Sequence, residues 1–227
     1  MKIGIFGTGM VGQQIATALY AKGHEVMIGT RDIAKSLANT EANGMGMPGF
    51  GTWHKDHQNI HVGTFAQAAA HGEILVNATS GGVSLEALNS AGIENLGSKI
   101  LIDIANDLDF SQGMPPRLRS SDEVGASVGE KIQAAFPNLK VVKSLSTMNA
   151  FIMLNPSLVN GETTVFVNGN DAEAKKAVSG ILESFGWKDI MDLGDITASR
   201  SVEMMLPVWL RAWGVIGNTP FNFKIVR

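Results

Sequence analysis

Residues 2–12 read Lys2-Ile3-Gly4-Ile5-Phe6-Gly7-Thr8-Gly9-Met10-Val11-Gly12, a short apolar run that passes directly into glycines at the spacing GxGxxG. The residues that follow, Met10–Lys22, are amphipathic and end at Gly23, so the run is a strand and its continuation a helix. In that setting each glycine has a task. Gly7 permits the tight turn, Gly9 clears space for backbone to approach a pyrophosphate, and Gly12 lets the helix lie close to the strand. The start of the helix adds unpaired N–H groups and a positive dipole end. Gly7, Thr8, Gly9, Met10, Val11 and Gly12 are therefore candidate residues for a dinucleotide phosphate turn.

Outward from this turn, strand and helix signals alternate. Glu25–Gly29 is a second strand and Asp32–Asn39 a short helix. Glu41–Asn59, with four glycines and a proline, is predicted to be a long surface excursion. Further strands fall at Ile60–Val62, Ile74–Ala78, Ile100–Ile104 and Leu139–Leu145, with helices beginning near Thr64 and Ser84. Asn106–Arg119 reads as a loop, and Ser120 with Glu123 as the capping box of a helix reaching Phe136. Short apolar strands separated by helices predict a parallel sheet with right-handed crossovers, the doubly wound Rossmann arrangement of the α/β class. After Leu145 the pattern changes. A strand at Thr164–Val167, a helix at Ala172–Phe185, a strand at Asp189–Leu193 and a long final helix predict a smaller C-terminal α/β unit. The expected division is a nucleotide-binding domain over 1–145 and a small domain over 146–227.

Composition narrows the function classes. The chain has 227 residues, 44% hydrophobic and 17% charged, with a net charge of −3. That balance gives no whole-molecule attraction to nucleic acid. There are no cysteines, hence no disulfides, thiol nucleophiles or thiolate metal sites. The N-terminus lacks a signal-peptide apolar region, and Met204–Gly217 is interrupted by Pro207 and Arg211 and too short for a bilayer. The expectation is a soluble cytoplasmic protein without a membrane partner.

The end of the second strand separates two cofactors. An NAD site usually carries Asp or Glu there to accept from the ribose hydroxyls. This chain has Gly29-Thr30-Arg31-Asp32, with Lys35 a turn later. A hydroxyl, a guanidinium and an ammonium suit a 2'-phosphate, which predicts NADP(H). The alternative is that Arg31 and Lys35 are solvated charges and Asp32 is the displaced acid.

The Gly7–Gly12 turn, Gly29-Thr30-Arg31 and the run Lys143-Ser144-Leu145-Ser146-Thr147-Met148-Asn149-Ala150 together resemble the deazaflavin-dependent NADP oxidoreductases. Those enzymes pass hydride between NADP(H) and coenzyme F-420. The resemblance extends to the final helix, and the NADPH domains of membrane metalloreductases are similar too. It implies that Thr8, Met10 and Val11 line the pyrophosphate turn and that Thr30, Arg31 and Lys35 hold the 2'-phosphate. It places Ala78, Thr79 and Ser80 beside the cofactor ribose and Asn106 in the loop after the fifth strand. Ala150 would face the nicotinamide carboxamide through its backbone.

Hydride transfer between two rings needs orientation more than a proton-transfer group, so no catalytic side chain is assigned. The loop Ser146–Ala150 leaves its strand at the C-terminal end, where open α/β sheets bind ligands. Ser146, Thr147, Asn149 and Ala150 form the candidate acceptor and nicotinamide side. Thr147 and Asn149 either orient an amide or ring carbonyl or stabilise the loop. Lys143 is an acid for an imine or carbonyl substrate or, more simply, a sheet-edge charge. His54, His57 and His61 would share a helical face, but the glycines predict a loop there and no metal is expected. Met204, Met205, Leu206, Trp209, Leu210 and Trp213 read as core or subunit interface, in a homodimer through the final helix, rather than as an acceptor wall. Pro207 predicts a kink or break near residue 206. Arg117, Arg119, Arg200, Lys224 and Arg227 suit an acidic coenzyme tail if they cluster. Three functions stay open on residues alone: a reductase with a deazaflavin or flavin acceptor, an imine or small-carbonyl reductase, and a non-catalytic NADP(H) sensor.

Overall fold

The computed structural model describes residues 1–44, 46–111, 113, 116–119, 126–217 and 220–227. β1 (Lys2–Phe6), α1 (Met10–Ala21) and β2 (Glu25–Thr30) form the first βαβ unit. After α2 (Ile33–Ala38) and α3 (Phe50–Asp56), β3 (His61–Thr64) completes one edge of the sheet. The chain returns through α4 (Phe65–His71) to β4 (Ile74–Asn77), which lies on the other side of β1. α5 (Ser84–Ala91) and α6 (Ile93–Leu96) lead to β5 (Ile100–Asp103). A two-residue hairpin of β6 (Leu108–Asp109) and β7 (Arg117–Leu118) precedes α7 (Val128–Ala135) and β8 (Lys140–Ser144). α8 (Ala150–Leu154), β9 (Thr164–Asn168), α9 (Ala172–Ser184), β10 (Asp189–Asp192) and α10 (Ser199–Ile216) finish the chain.

Among the described residues the main sheet has eight strands in the order β10-β9-β8-β5-β4-β1-β2-β3. All its ladders are parallel except β8 with β9. The mixed α/β Rossmann-type architecture follows, with the strand order reversing between β1 and β4. That reversal opens a crevice at the carboxyl ends of the strands. β9 and β10 belong to the smaller unit expected after residue 145, and their ladders continue the same sheet.

Both faces of the sheet are covered, which is why its strands read as nearly continuous apolar runs. Ile3, Ile5, Val76, Ile102 and Val142 point to one side, where Ile15, Leu19, Val178 and Ile181 of α1 and α9 cover them. Phe6, Leu75, Leu101 and Val141 point to the other, against Ala68, Leu88 and Ile132 of α4, α5 and α7.

Three local expectations are corrected, and a fourth falls outside the described residues. Glu41–Asn59 is not loop throughout, because α3 forms within it and buries Phe50 and Trp53. Burying two such side chains is worth about 1.5–3 kcal/mol each and outweighs the low helix propensity of the surrounding glycines. Asn106–Arg119 contains the β6–β7 hairpin. The proposed Ser120–Glu123 capping box lies outside the described residues; α7 instead opens at Ser127 with its own box, Ser127 to Glu130. Pro207 does not break α10, which runs from Ser199 to Ile216. The lost N–H of Pro207 is offset by burial of Leu206, Trp209 and Leu210, with Leu108, Phe221 and Phe223 packed against them.

Candidate functional site

The carboxyl end of β1 meets the loop after β4 at very short range. Gly7 has φ +116°, and a Cβ there would sit 2.6 Å from the Ala78 carbonyl oxygen. At Gly12 a Cβ would lie 2.1 Å from the Gly7 carbonyl oxygen, so only glycine lets α1 start this close to β1. Gly9 differs: a Cβ there meets nothing within 4 Å. Gly9 is the N-cap of α1 and provides no side-chain cap, so the first N–H groups of a twelve-residue helix open onto free space. The turn is held from behind by Gln13, 3% exposed, whose Nε2 donates to the Thr8 carbonyl at 3.0 Å. Sequence reasoning missed Gln13; its signal was a polar residue on the buried stripe of α1.

At the end of β2, Thr30 is buried and its hydroxyl lies 2.7 Å from that of Ser36, which sequence reasoning also missed. Asp32 is not a free acid. Its carboxylate caps α2 by accepting from the Lys35 N–H at 2.9 Å. Arg31 is largely exposed and reaches Glu86 of α5 at 3.0 Å, while Lys35 is exposed on α2. The corner thus offers a hydroxyl pair and two accessible cations.

The loops after β4, β5 and β8 join behind the turn. Ala78 donates its N–H to the Phe6 carbonyl at 2.9 Å. Thr79 donates to the Asn77 side-chain oxygen through its N–H at 3.3 Å and its hydroxyl at 2.7 Å, and Ser80 is exposed. Gly81 donates to the Asn106 carbonyl at 3.0 Å, and Asn106 Nδ2 donates to the Ser146 carbonyl at 2.9 Å. Asn106 Oδ1 and Ser146 Oγ are buried with no hydrogen-bond partner among the described residues. Two unpartnered polar atoms where three strands end are available to a polar ligand. Leu145 has φ +61°, a left-handed conformation that turns the chain from β8 into this loop. Thr147 and Ala150 are buried, and Asn149 caps α8 by accepting from Phe151 and Ile152. The side-chain oxygen of Asn149 is thus committed to its own loop.

Lys143 is not the sheet-edge charge expected. Its strand lies between β5 and β9, and the side chain is fully buried. Its ammonium sits 2.9 Å from Asp103 and 2.8 Å from Glu203 and donates also to the Ala105 carbonyl. Burial alone would lower its pKa, but the facing carboxylates of Asp103 and Glu203 raise it above the ordinary lysine value.

The other singled-out groups separate. Arg119 and Arg200 line one pocket of about 240 Å³ with Lys131, Asp107 and Glu203. Arg119 pairs with Asp107 and Arg200 with Glu130. Lys224 and Arg227 are instead tied to Asp189 at 2.8 and 2.7 Å. His57 stacks on Trp53 at 4.5 Å and reaches its carbonyl, His54 reaches the Ile60 carbonyl, and His61 is exposed on β3. Among the described residues no group of three His, Asp or Glu side chains could hold a metal. Trp209 is buried and stacked on Phe221 at 4.9 Å, so it is core. No helix among the described residues is long and apolar enough to cross a membrane.

Residues 2–107 match the pattern of the family described as NADP oxidoreductase, coenzyme F-420-dependent. A crystal structure from Arthrobacter sp. fb24, provisionally named an F-420-dependent NADP-reductase, is 52% identical, with all of both chains covered and a TM-score of 0.93. The metalloreductase STEAP3 of Rattus norvegicus is 24% identical over 212 residues, which are 92% of this chain and 38% of that protein. This chain therefore spans well under half the length of that relative. An imine reductase from Myxococcus stipitatus, a V8 variant in complex with NAD+, shares the fold at a TM-score of 0.60 with 13% identity, over 95% of this chain and 61% of that one. With full-length similarity at 52% identity behind it, the chain belongs to the coenzyme F-420-dependent NADP oxidoreductase family.

Proposed function

We propose that this protein transfers hydride between NADPH and a deazaflavin or flavin-type acceptor, coenzyme F-420 being the best fit. The observation that carries the reading is the sequestration of Lys143. Lys143 was the acid that sequence offered for imine or carbonyl reduction, and its three protons are already committed inside the sheet. What remains is a phosphate cradle and a loop whose described polar side chains are hydroxyls and amides, with no free ammonium, imidazole or carboxyl acid among them, which suits ring-to-ring hydride transfer.

In this reading Gly7, Thr8, Gly9, Met10, Val11 and Gly12 hold the pyrophosphate against the start of α1. Thr30, Arg31 and Lys35 hold the 2'-phosphate. Ala78, Thr79 and Ser80 meet the ribose, and Asn106, Ser146, Thr147, Asn149 and Ala150 orient the nicotinamide and its acceptor. The unpartnered Asn106 Oδ1 and Ser146 Oγ support that placement, because each gains a partner from a carboxamide or hydroxyl. Bound NADPH supplies the hydride; the protein supplies orientation and a dry site. The pocket shared by Arg119, Lys131 and Arg200 suits an acidic acceptor tail. Residues 1–145 act as the cofactor part and 146–227 as the acceptor part, on one sheet. Exposed Met204, Val208 and Val215 on α10 support assembly as a homodimer.

The test is NADPH oxidation with a panel of F-420, FMN, FAD and simple imines. Turnover with the deazaflavin, alone or well above the flavins, is the expected result. Turnover with imines alone overturns the acceptor assignment. Tight NADPH binding with no turnover on any of the four selects a redox sensor instead.

A further inference from the structure

Asn77, Asp103, Lys143 and Asn168 occupy one level of the sheet on the adjacent strands β4, β5, β8 and β9. Cα pairing places Asn77 beside Asp103, Asp103 beside Lys143 and Lys143 beside Asn168. All four are fully buried. A row of this kind across an apolar sheet is costly unless every group is satisfied.

The bonds run in one direction. Glu203 of α10 accepts from the Val128 and Gly129 N–H groups at 3.1 and 3.3 Å and faces the Lys143 ammonium. Lys143 donates to Asp103 Oδ2 at 2.9 Å. Asp103 Oδ1 accepts from Asn77 Nδ2 at 2.8 Å. Asn77 Nδ2 also donates to Ser84 at 3.0 Å, and its Oδ1 accepts from the Thr79 hydroxyl at 2.7 Å. An amide can bind either way round, but a carboxylate only accepts. Asp103 Oδ1 accepts on one side of the amide and the Thr79 N–H donates on the other at 3.3 Å, so Asn77 turns its NH₂ inward and its oxygen toward Thr79. The Thr79 proton is then committed, and its oxygen, which also lies 2.9 Å from the Ser84 hydroxyl, keeps a lone pair with which to accept.

We propose that Lys143 and Asp103 are positioning residues for the cofactor, acting through Asn77 to fix the Thr79 side chain in the loop beside the cofactor ribose. The proposal rests on the NADPH reading above. It also gives the C-terminal helix a mechanical link to the cofactor loop, since Glu203 anchors the far end of the row.

The experiment compares NADPH dissociation constants and apo-protein melting temperatures for the wild type, Asp103→Asn, Thr79→Val and the double variant. Asp103→Asn keeps the shape but removes the acceptor-only character that orients Asn77. The expected result is NADPH binding weakened roughly tenfold in each single variant, the scale of one misdirected hydrogen bond. The double variant should bind no more weakly than either single one. A lower melting temperature with unchanged NADPH affinity, or effects that multiply in the double variant, overturns the proposal and leaves the row merely structural. If Asp103→Asn does not fold, Asn77→Ser cuts the row at its last link without touching a charge and is judged by the same outcomes. Wild-type protein that binds no NADPH removes the parent reading and this inference together, whereas intact binding with an insensitive Asp103→Asn removes only the inference.

Discussion

At Gly9 an added methyl group meets nothing within 4 Å, while at Gly12 it would lie 2.1 Å from a backbone carbonyl. The two positions therefore separate binding from folding. Gly9→Ala is expected to melt within a few degrees of the wild type yet bind NADPH roughly tenfold or more weakly, because the methyl occupies the phosphate approach. Gly12→Ala is expected to lose stability outright, by about 1–3 kcal/mol or more, since α1 must move off β1. Thermal melts and NADPH titrations on the same preparations decide both. At the β2 corner, Arg31→Ala should lower the ratio of NADPH to NADH efficiency by roughly tenfold, one charge-assisted contact to phosphate. An unchanged ratio takes Arg31 out of that role. The placement of Thr30, Arg31 and Lys35 was legible in sequence, because they stand at and just after a recognisable strand end. Lys143 was not: period-two alternation places a residue on a strand, but strand order decides whether that strand is central. The polar residues that end β4, β5 and β9 were the available signal, and only pairing shows that they stand in one row.

Elements were predicted well where one force dominated. β1, α1, β4 and α9 carry strong periodicity and capping or glycine stops, and they fall within a residue or two of expectation. α3 was lost because its glycines argue locally for a loop, while the burial of Phe50 and Trp53 that overrides them is a tertiary effect. The C-terminal segment after α10 is another tertiary construction. Phe223 accepts from the Thr164 N–H at 2.9 Å, and Lys224 and Arg227 both reach Asp189 at the start of β10. The hydrogen bonds from Lys224 and Thr164, with the Arg227 charge, hold the Asp189 carboxyl well below its usual 3.8, at about 2. A carboxylate whose folded pKa lies below its unfolded one stabilises fully above the unfolded value and is lost as pH falls through the folded one. The tail is therefore expected to stay latched above about pH 4 and to release between about pH 4 and 2. Amide exchange at Ile225, which donates to Thr164, measured across that range checks it. Asp189→Asn should abolish the pH dependence.

On the scale of the whole molecule, the sheet has both faces covered, and α10 is a helix that carries several exposed apolar side chains on one side. Its inner face buries Val202, Leu206, Trp209 and Leu210, while Met204, Val208 and Val215 are 67%, 59% and 89% exposed. These three lie four and seven residues apart, so they share one side of the helix. An 18-residue helix whose outer side carries three exposed apolar residues around a single arginine, Arg211, is a poor surface for an isolated monomer. The homodimer proposed above would put a second copy of the chain on this face, since a two-fold axis lets the same stripe meet itself. Val208, at the centre of the stripe, gives the sharpest test. Val208→Glu places two carboxylates across the two-fold and should convert a dimer to a monomer, with little change in melting temperature at low protein concentration. Sedimentation velocity over a hundredfold concentration range reads the result directly. Wild-type protein that sediments as a monomer throughout would remove the interface, and the outer face of α10 would then need another occupant.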